Sequence, residues 1–229
     1  MLSEVNGSLV MAHELKGPLA LLRQLAFSLE YADSDGERHK IQQEMIDVSE
    51  RAIKQINDLT RITRVESGLF DLEPVAIRSV CNEVTSELRQ LFSANHKNLQ
   101  LEYRNRSRLV VGNRDLIHSV IYNFCINALH YSEEDTASFL TVYDRHNHVR
   151  LEVRDYGPAL PVDVWRAMKQ GWLEQPTSIA MRPGSSGLGL YIASKFSKAM
   201  NAPVGAVRHR DGTSFYVELP ASRQESLFA

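Results

Sequence analysis

The sequence predicts an α+β protein in which two antiparallel helices precede a two-layer α/β sandwich. Apolar residues recur at three- and four-residue steps over residues 2–29 and again over 41–62, as is typical of amphipathic helices. Farther along the chain, strand-like and helix-like segments are mixed, which favours a sheet with helices packed on it. We therefore expect two domains, 1–70 and 71–229.

The first domain is expected to be a helical hairpin. Residues 32–36, Ala-Asp-Ser-Asp-Gly, interrupt the first apolar stripe, and the second stripe ends before Gly68. A hairpin alone leaves much of its apolar seam in contact with water, and pairing of two chains into a four-helix bundle buries that seam. The sequence therefore predicts a homodimer formed through the hairpin.

The second domain is expected to combine helices and strands in two layers. The predicted elements are a helix over 75–93, strands over 99–103 and 108–111, a helix over 114–132, strands over 139–147 and 148–156 joined by a turn near Asn147, two shorter helices, and a last strand over 214–220. Strands grouped around helices in this way favour a sandwich with one helical layer.

Composition excludes several classes of function. A formal net charge of -2 gives no overall field that would attract nucleic acid. Cys81 and Cys125 are far apart and form no CxxC pattern, so a zinc site or a disulfide framework is disfavoured and both are expected in the core. The same cysteine usage fits a reduced cytosolic compartment. No apolar run approaches the roughly 20 residues that cross a bilayer, so the chain is expected to be soluble.

The first motif, HELKGPL, places a histidine, an acid and a proline within a helix. Pro18 cannot donate to the carbonyl of Glu14, which loosens the backbone beside His13 at a cost of about 3 kcal/mol. His13 lies one residue beyond the apolar stripe, where its ring can leave the seam, and Glu14 could accept its proton. Taken alone, a helical His-Glu pair is more often an ordinary surface pair.

The second motif is NFCINALHYS. Asn123 and Asn127 are four residues apart and share one face of a predicted helix. Carboxamide oxygens are neutral ligands that can help to hold Mg²⁺ when phosphate oxygens supply most of the negative charge. A buried or capping asparagine pair is the alternative, because asparagine is a poor helix former.

The third and fourth motifs are DYGPA and GSSGLGL. Asp155 directly follows a predicted strand, where a carboxylate can accept a hydrogen bond from an exocyclic amine and Gly157 lets a base approach the backbone. The glycines at 184, 187 and 189 precede a helix, and backbone N–H groups at such a position can hold phosphates. Each pattern alone is also compatible with an ordinary turn or a tight connection.

The four motifs occur in one order, and together they resemble those of the histidine kinases of bacterial two-component systems. HELKGPL is similar to the H box of that family, NFCINALHYS to its N box, DYGPA to its G1 box and GSSGLGL to its G2 box. The segment 212–220 resembles the last strand of the family's ATP-binding domain, which shares its fold with gyrase and Hsp90. The resemblance covers nearly the whole chain.

The resemblance implies specific roles. His13 would be the phosphoacceptor, Glu14 its acid/base partner and Asp155 the residue that reads adenine. Residues that the resemblance assigns to the nucleotide are Asn123, Asn127, His130, Tyr131, Asp155, Gly157, Gly187, Leu188, Gly189 and Thr213. Asn127, assisted by Asn123, would hold Mg²⁺. Related ATPases have a glutamate at the position of Asn123, so the amide here would suppress hydrolysis.

The resemblance also implies partners and a location. ATP and Mg²⁺ would be bound, a response regulator receiver domain would accept the phosphoryl group, and no nucleic acid would be involved. The hairpin would form the homodimer. Attachment to a membrane would come only from an N-terminal region absent from this sequence, so the chain is expected to be the cytoplasmic part of an inner-membrane sensor kinase.

The motifs depart from the family pattern at several positions. Ala159 replaces a second glycine, and His130 replaces a lysine that commonly contacts phosphate, a contact that Arg182 or Lys169 could supply instead. Gly17 replaces a residue associated with dephosphorylation of the regulator, which predicts weak phosphatase activity. The predicted lid, residues 160–183, carries its two tryptophans, Trp165 and Trp172, in place of a recognisable phenylalanine motif.

Two alternatives therefore stay open. A degenerate kinase could bind nucleotide and act as a regulatory scaffold without transferring phosphate. A structural coiled coil joined to an ordinary α+β domain would bind no Mg-ATP at all.

Overall fold

A computed structural model of the chain describes residues 2–105, 108–170 and 188–223. The chain divides into two compact units, Met1–Glu66 and Ser67–Ala229. Residue 70, where the boundary was expected, lies between the end of the last helix of the first unit at Glu66 and the first strand of the second unit at Glu73. The domain bounds 1–70 and 71–229 stay a prediction.

The first unit is a helical hairpin, as predicted. Its helices are α1, Leu2–Glu30, and α2, Asp35–Glu66, and Pro18 lies inside α1. A reciprocal cap begins α2: Glu37 N donates to Ser34 Oγ at 3.2 Å, and Glu37 Oε2 accepts from Asp33 N at 3.2 Å. These bonds satisfy backbone donors that the first turn leaves unpaired, which explains why the helix begins here.

The hairpin buries one apolar seam and exposes other apolar side chains. Its buried apolar residues include Leu25, Ala32, Val48 and Ala52. Its exposed large apolar residues are Leu19, Leu21, Phe27, Tyr31, Ile46, Ile53 and Ile56. Among the described residues, no helix combines the length and apolar character needed to pass through a bilayer.

The second unit contains a mixed sheet and a layer of helices. Its elements are β1 (Glu73–Val75), α3 (Ile77–Ala94), β2 (Asn98–Tyr103), β3 (Val110–Gly112), α4 (Arg114–Tyr131), β4 (Ala137–Arg145), β5 (His148–Arg154), α5 (Val162–Gln170), α6 (Leu188–Ala199), β6 (Val204–His209) and β7 (Gly212–Pro220). The main sheet has the order β2-β4-β5-β7-β6, and only the β2 and β4 pair is parallel. A small antiparallel sheet joins β1 to β3.

Helix α4 is the central helix of this unit. The side chain of Asn113 caps its start by accepting from Asp115 N at 3.1 Å and Leu116 N at 3.2 Å. α4 contacts α3 on one side, α6 on the other, and β4 and β5 below it. The ring of Phe124 stacks on that of Phe215 in β7, with centroids 5.9 Å apart. The core therefore lies between α4 and the middle of the sheet.

The structure confirms the predicted α+β class and corrects several elements. Strands β1 and β6 were not predicted, because β1 is three residues long with a proline and β6 contains a glycine and little alternation. The strand predicted over 148–156 ends at Arg154, and the one predicted from 139 begins at Ala137. The end of β5 at Arg154 places Asp155 just beyond the strand, as the position of the DYGPA motif predicted.

We predict that neither cysteine reacts with a thiol reagent in the folded protein. Cys81 and Cys125 are free and buried, and burial raises the pKa of the Cys81 thiol to about 12 and that of Cys125 further. Because the thiolate is the reactive species, both should resist Ellman's reagent at about pH 8. Denatured protein is the control and should titrate two thiols per chain. Rapid modification of the native chain would contradict the buried assignment.

Candidate functional site

The two asparagines of α4 differ in how the protein uses their amides. Asn123 Nδ2 donates to Ser119 O at 2.8 Å and lies 3.3 Å from Ser119 Oγ, so its amide group is fixed. Asn127 Nδ2 is buried and has no hydrogen-bond partner among the described residues. Neither residue caps α4, because both lie inside it. An unsatisfied buried donor costs about 1–3 kcal/mol, so Asn127 Nδ2 is suited to an acceptor such as a phosphate oxygen.

The first turn of α6 lies directly against Asn123. A Cβ atom on Gly189 would sit 2.8 Å from Asn123 Oδ1, closer than van der Waals contact permits. The glycine therefore lets the start of α6 approach the asparagine face of α4. Gly187 and the other residues that precede the helix lie outside the described residues, as does the side chain of Leu188.

Asp155 is joined to the start of β7 by two hydrogen bonds. Its Oδ1 accepts from Thr213 N at 3.0 Å, and its backbone N donates to Thr213 O at 2.9 Å. The two residues are 1% and 3% exposed. A carboxylate held this way is fixed in position and screened from solvent.

Gly212 makes this junction possible, although the sequence indicated it only as a turn residue. Its φ is +136°, a conformation that favours glycine. A Cβ atom there would lie 2.2 Å from the carbonyl oxygen of Asp155. The Asp211-Gly212 dipeptide at the tip of the β6 and β7 hairpin was the available signal.

The loop after β5 rests on the end of α4. A Cβ atom on Gly157 would lie 1.8 Å from the carbonyl oxygen of Tyr131, so no other residue fits without moving the backbone. Glu133 N donates to Tyr156 O at 3.1 Å, which makes a second link between the same segments. The end of the asparagine helix and the Asp-x-Gly loop are therefore one connected structure.

The remaining predicted site residues fall into two groups. His130 and Tyr131 are half-buried in the last turn of α4. Lys169 is exposed, and its ammonium lies 4.1 Å from the centre of the Trp165 ring. The side chains of His13 and Glu14, together with Trp172 and Arg182, lie outside the described residues.

The donor set of the site fits a cation that brings its own oxygen ligands. In the part of the chain that the structure describes, no group of three or more His, Cys, Asp or Glu side chains could hold a metal. Amide oxygens from Asn127 and Asn123 are nevertheless hard ligands, and Mg²⁺ commonly takes one or two protein ligands along with substrate phosphates. The described residues are therefore compatible with a magnesium nucleotide.

Comparison with known proteins agrees with this geometry. Residues 112–223, which include α4, the glycine loops and β7, match the family described as Histidine kinase-, DNA gyrase B-, and HSP90-like ATPase. This part of the chain is therefore similar to the ATPases of that family. The match begins just before the helix that carries Asn123 and Asn127.

Relatives extend the likeness to the helical hairpin. The probable sensor histidine kinase TcrY of Mycobacterium tuberculosis is 26% identical over 91% of this chain and 44% of its own length. The solved histidine kinase AdeS of Acinetobacter baumannii is 17% identical with a TM-score of 0.66, covering 92% of this chain and 98% of that one. Histidine kinase ThkA, solved in complex with response regulator protein TrrA, is 16% identical with a TM-score of 0.62, covering 92% of this chain and 60% of that one.

Taken together, the hairpin and the ATPase-type unit have the fold of solved histidine kinases and are similar in sequence to sensor histidine kinases. The fold prediction is thereby confirmed. The chain spans 44% of the length of TcrY and a smaller share of two further curated relatives that it matches.

We predict that Gly157→Ala destabilises the second unit by about 3 kcal/mol, because the new methyl group would collide with backbone that cannot move aside. Gly112→Ala is the matched control. Its Cβ atom would meet flexible side chains, the tip of Ile117 at 2.7 Å and the sulfur of Met200 at 3.4 Å, and the substitution should cost about 1 kcal/mol. Urea unfolding followed by tryptophan fluorescence reports on this unit, because both tryptophans lie within it. Equal losses in the two variants would contradict the rigid contact at Tyr131.

Proposed function

We propose that this chain is a protein-histidine kinase that uses ATP to phosphorylate His13 and then passes the phosphoryl group to an aspartate of a response regulator receiver domain. The observation that carries the proposal is the buried Nδ2 of Asn127, which has no hydrogen-bond partner among the described residues. Its helix has the Asp155 junction and the glycine at the start of α6 as neighbours. An ATP-binding site requires these three features together: a base reader, a phosphate loop and a cation ligand.

Asp155 is proposed to bind the adenine. Its carboxylate is fixed by Thr213 N, and a buried acceptor of this kind selects an exocyclic amine over a carbonyl. Thr213 would line the same end of the pocket. Gly157 supports this role because it allows the loop after Asp155 to pack on the Tyr131 carbonyl, which holds the segment that carries the carboxylate.

Asn127 and Asn123 are proposed to bind the metal and the phosphates. Bound Mg²⁺ would neutralise charge on the transferring phosphoryl group. Gly187, Leu188 and Gly189 would offer backbone N–H groups to the same phosphates at the start of α6. A carboxamide at position 123 cannot accept a proton from water, so the site would favour transfer to a protein nucleophile over hydrolysis.

His13 is proposed as that nucleophile. An imidazole nitrogen would attack the γ-phosphorus, the bond to the bridging oxygen would break, ADP would leave, and Glu14 would accept the ring proton. The phosphoryl group would then move from the ring nitrogen to a carboxylate oxygen of the receiver aspartate. The likeness to ThkA, which was solved with a response regulator protein, supports this second step.

The hairpin is proposed to form a homodimer. Phe27 is 60% exposed and Ile53 is 57% exposed in the isolated chain. Apolar side chains of this size on both helices would be buried by pairing two hairpins into a four-helix bundle. Because the curated relatives are longer sensor proteins, we further propose that sensing is performed by regions outside this sequence and that this core works in the cytoplasm.

We expect radiolabel from the γ-phosphate of ATP to be incorporated into wild-type protein in a form that is labile to acid and stable to alkali. His13→Gln should abolish the label by removing the nucleophile, and Asn127→Ala should lower it at least about 100-fold by removing the metal ligand. His39→Gln and Asn57→Ala are matched controls at exposed positions of α2 and should retain the label. Nucleotide binding without any histidine-linked label would instead indicate a regulatory scaffold.

We expect Ile53→Glu to convert the dimer into a monomer. Dimerisation would bury the new carboxylate between the two hairpins without a positive partner, which is costly. Light scattering coupled to size-exclusion chromatography measures the change. Val207→Glu is the control, because it also replaces an exposed apolar residue by glutamate but lies in the second unit, where Val207 is 36% exposed. This variant should keep the molecular mass of the wild-type dimer. A wild-type monomer at micromolar concentration would refute the dimer.

A further inference from the structure

Lys97 lies in the link between α3 and β2, and its ammonium group binds the end of α4. Its Nζ donates to Leu129 O at 2.7 Å and to Ser132 O at 2.6 Å. The last carbonyls of a helix lack partners within the helix. A positive charge near them is also attracted to the negative end of the helix dipole. The lysine therefore closes the last turn of the asparagine helix from outside.

The backbone that carries Lys97 is itself held in place. His96 adopts a φ of +53°, and Lys97 N donates to Phe92 O at 2.9 Å, which ends α3. Asp135 N donates to His96 O at 3.0 Å, so the segment that follows α4 is tied to the same link. The lysine side chain thus starts from a fixed position and reaches a fixed target.

The turn that Lys97 holds is the one on which the Gly157 loop rests. Tyr131, whose carbonyl oxygen leaves no space for a Cβ atom on Gly157, lies between the two residues that Lys97 binds. Ser132 Oγ adds bonds to Ala128 O at 2.6 Å and to Ser138 Oγ at 2.9 Å. A small rotation of this turn would therefore push the loop away from its place.

We propose that Lys97 is a positioning residue for the nucleotide site. By holding the carbonyls of Leu129 and Ser132, it fixes the surface against which the Gly157 loop packs and so sets the position of Asp155 at the mouth of that loop. The effect on ATP rests on the proposed function, whereas the effect on the loop rests only on these contacts. Lys97 should affect the affinity for the nucleotide more than the rate of phosphoryl transfer, because its hydrogen bonds support the part of the site proposed to bind the adenine.

The first experiment measures hydrogen exchange in the full chain without nucleotide. Lys97→Met keeps the length of the side chain but removes its charge and its donors, and exchange over residues 129–136 and 155–158 should rise about tenfold. Lys97→Arg restores two N–H donors and should return most of the protection. Lys198→Met removes an exposed lysine of α6 and should change neither segment. Unchanged exchange in Lys97→Met overturns the proposal.

The second experiment measures Mg-ATP affinity and autophosphorylation of the same variants. Lys97→Met should raise the Kd about tenfold, with the rate at saturating ATP within about threefold of wild type, and Lys97→Arg should recover most of the affinity. A loss of rate without a change in Kd overturns the positioning role. If the wild type binds no ATP, the proposed function is wrong, while the exchange measurement still decides whether Lys97 holds the loop.

Discussion

The close approach of two backbones at the end of α4 is the constraint on which the candidate site depends. The Gly157 loop packs on the Tyr131 carbonyl at a distance that no side chain tolerates. This contact joins the helix that presents Asn127 to the strand end that presents Asp155. Each of those side chains is ordinary by itself, and the contact fixes the segments that carry them relative to each other.

The same principle recurs at two other junctions. Gly189 lets α6 approach Asn123, and Gly212 lets the hairpin before β7 approach Asp155. In each case the glycine has no Cβ atom, so the two segments approach more closely than any other residue would allow. The candidate site thus depends on three close approaches at glycines, two of them to backbone carbonyls and one to the side-chain oxygen of Asn123.

Much of this could be predicted from sequence because the informative patterns are local. The apolar stripes of the hairpin follow helical periodicity, and Asn123 and Asn127 share a face by spacing alone. What could not be predicted is long-range. The role of Gly212 depends on a carbonyl 57 positions away in the chain, and strand β6 is stabilised by pairing with β7 more than by its own pattern. Asn113 as the cap of α4 was likewise missed, although Asn before Arg-Asp is a recognisable start.

The order of strands in the sheet has a consequence for biosynthesis. β7 is inserted between β5 and β6, so it is an interior strand although it follows every other strand of the sheet along the chain. While the chain is still emerging from a ribosome, β5 therefore presents an open edge, and Asp155 lacks the backbone that later fixes it. The junction between Asp155 and Thr213 therefore forms late, after β5 and β6 have both been synthesised.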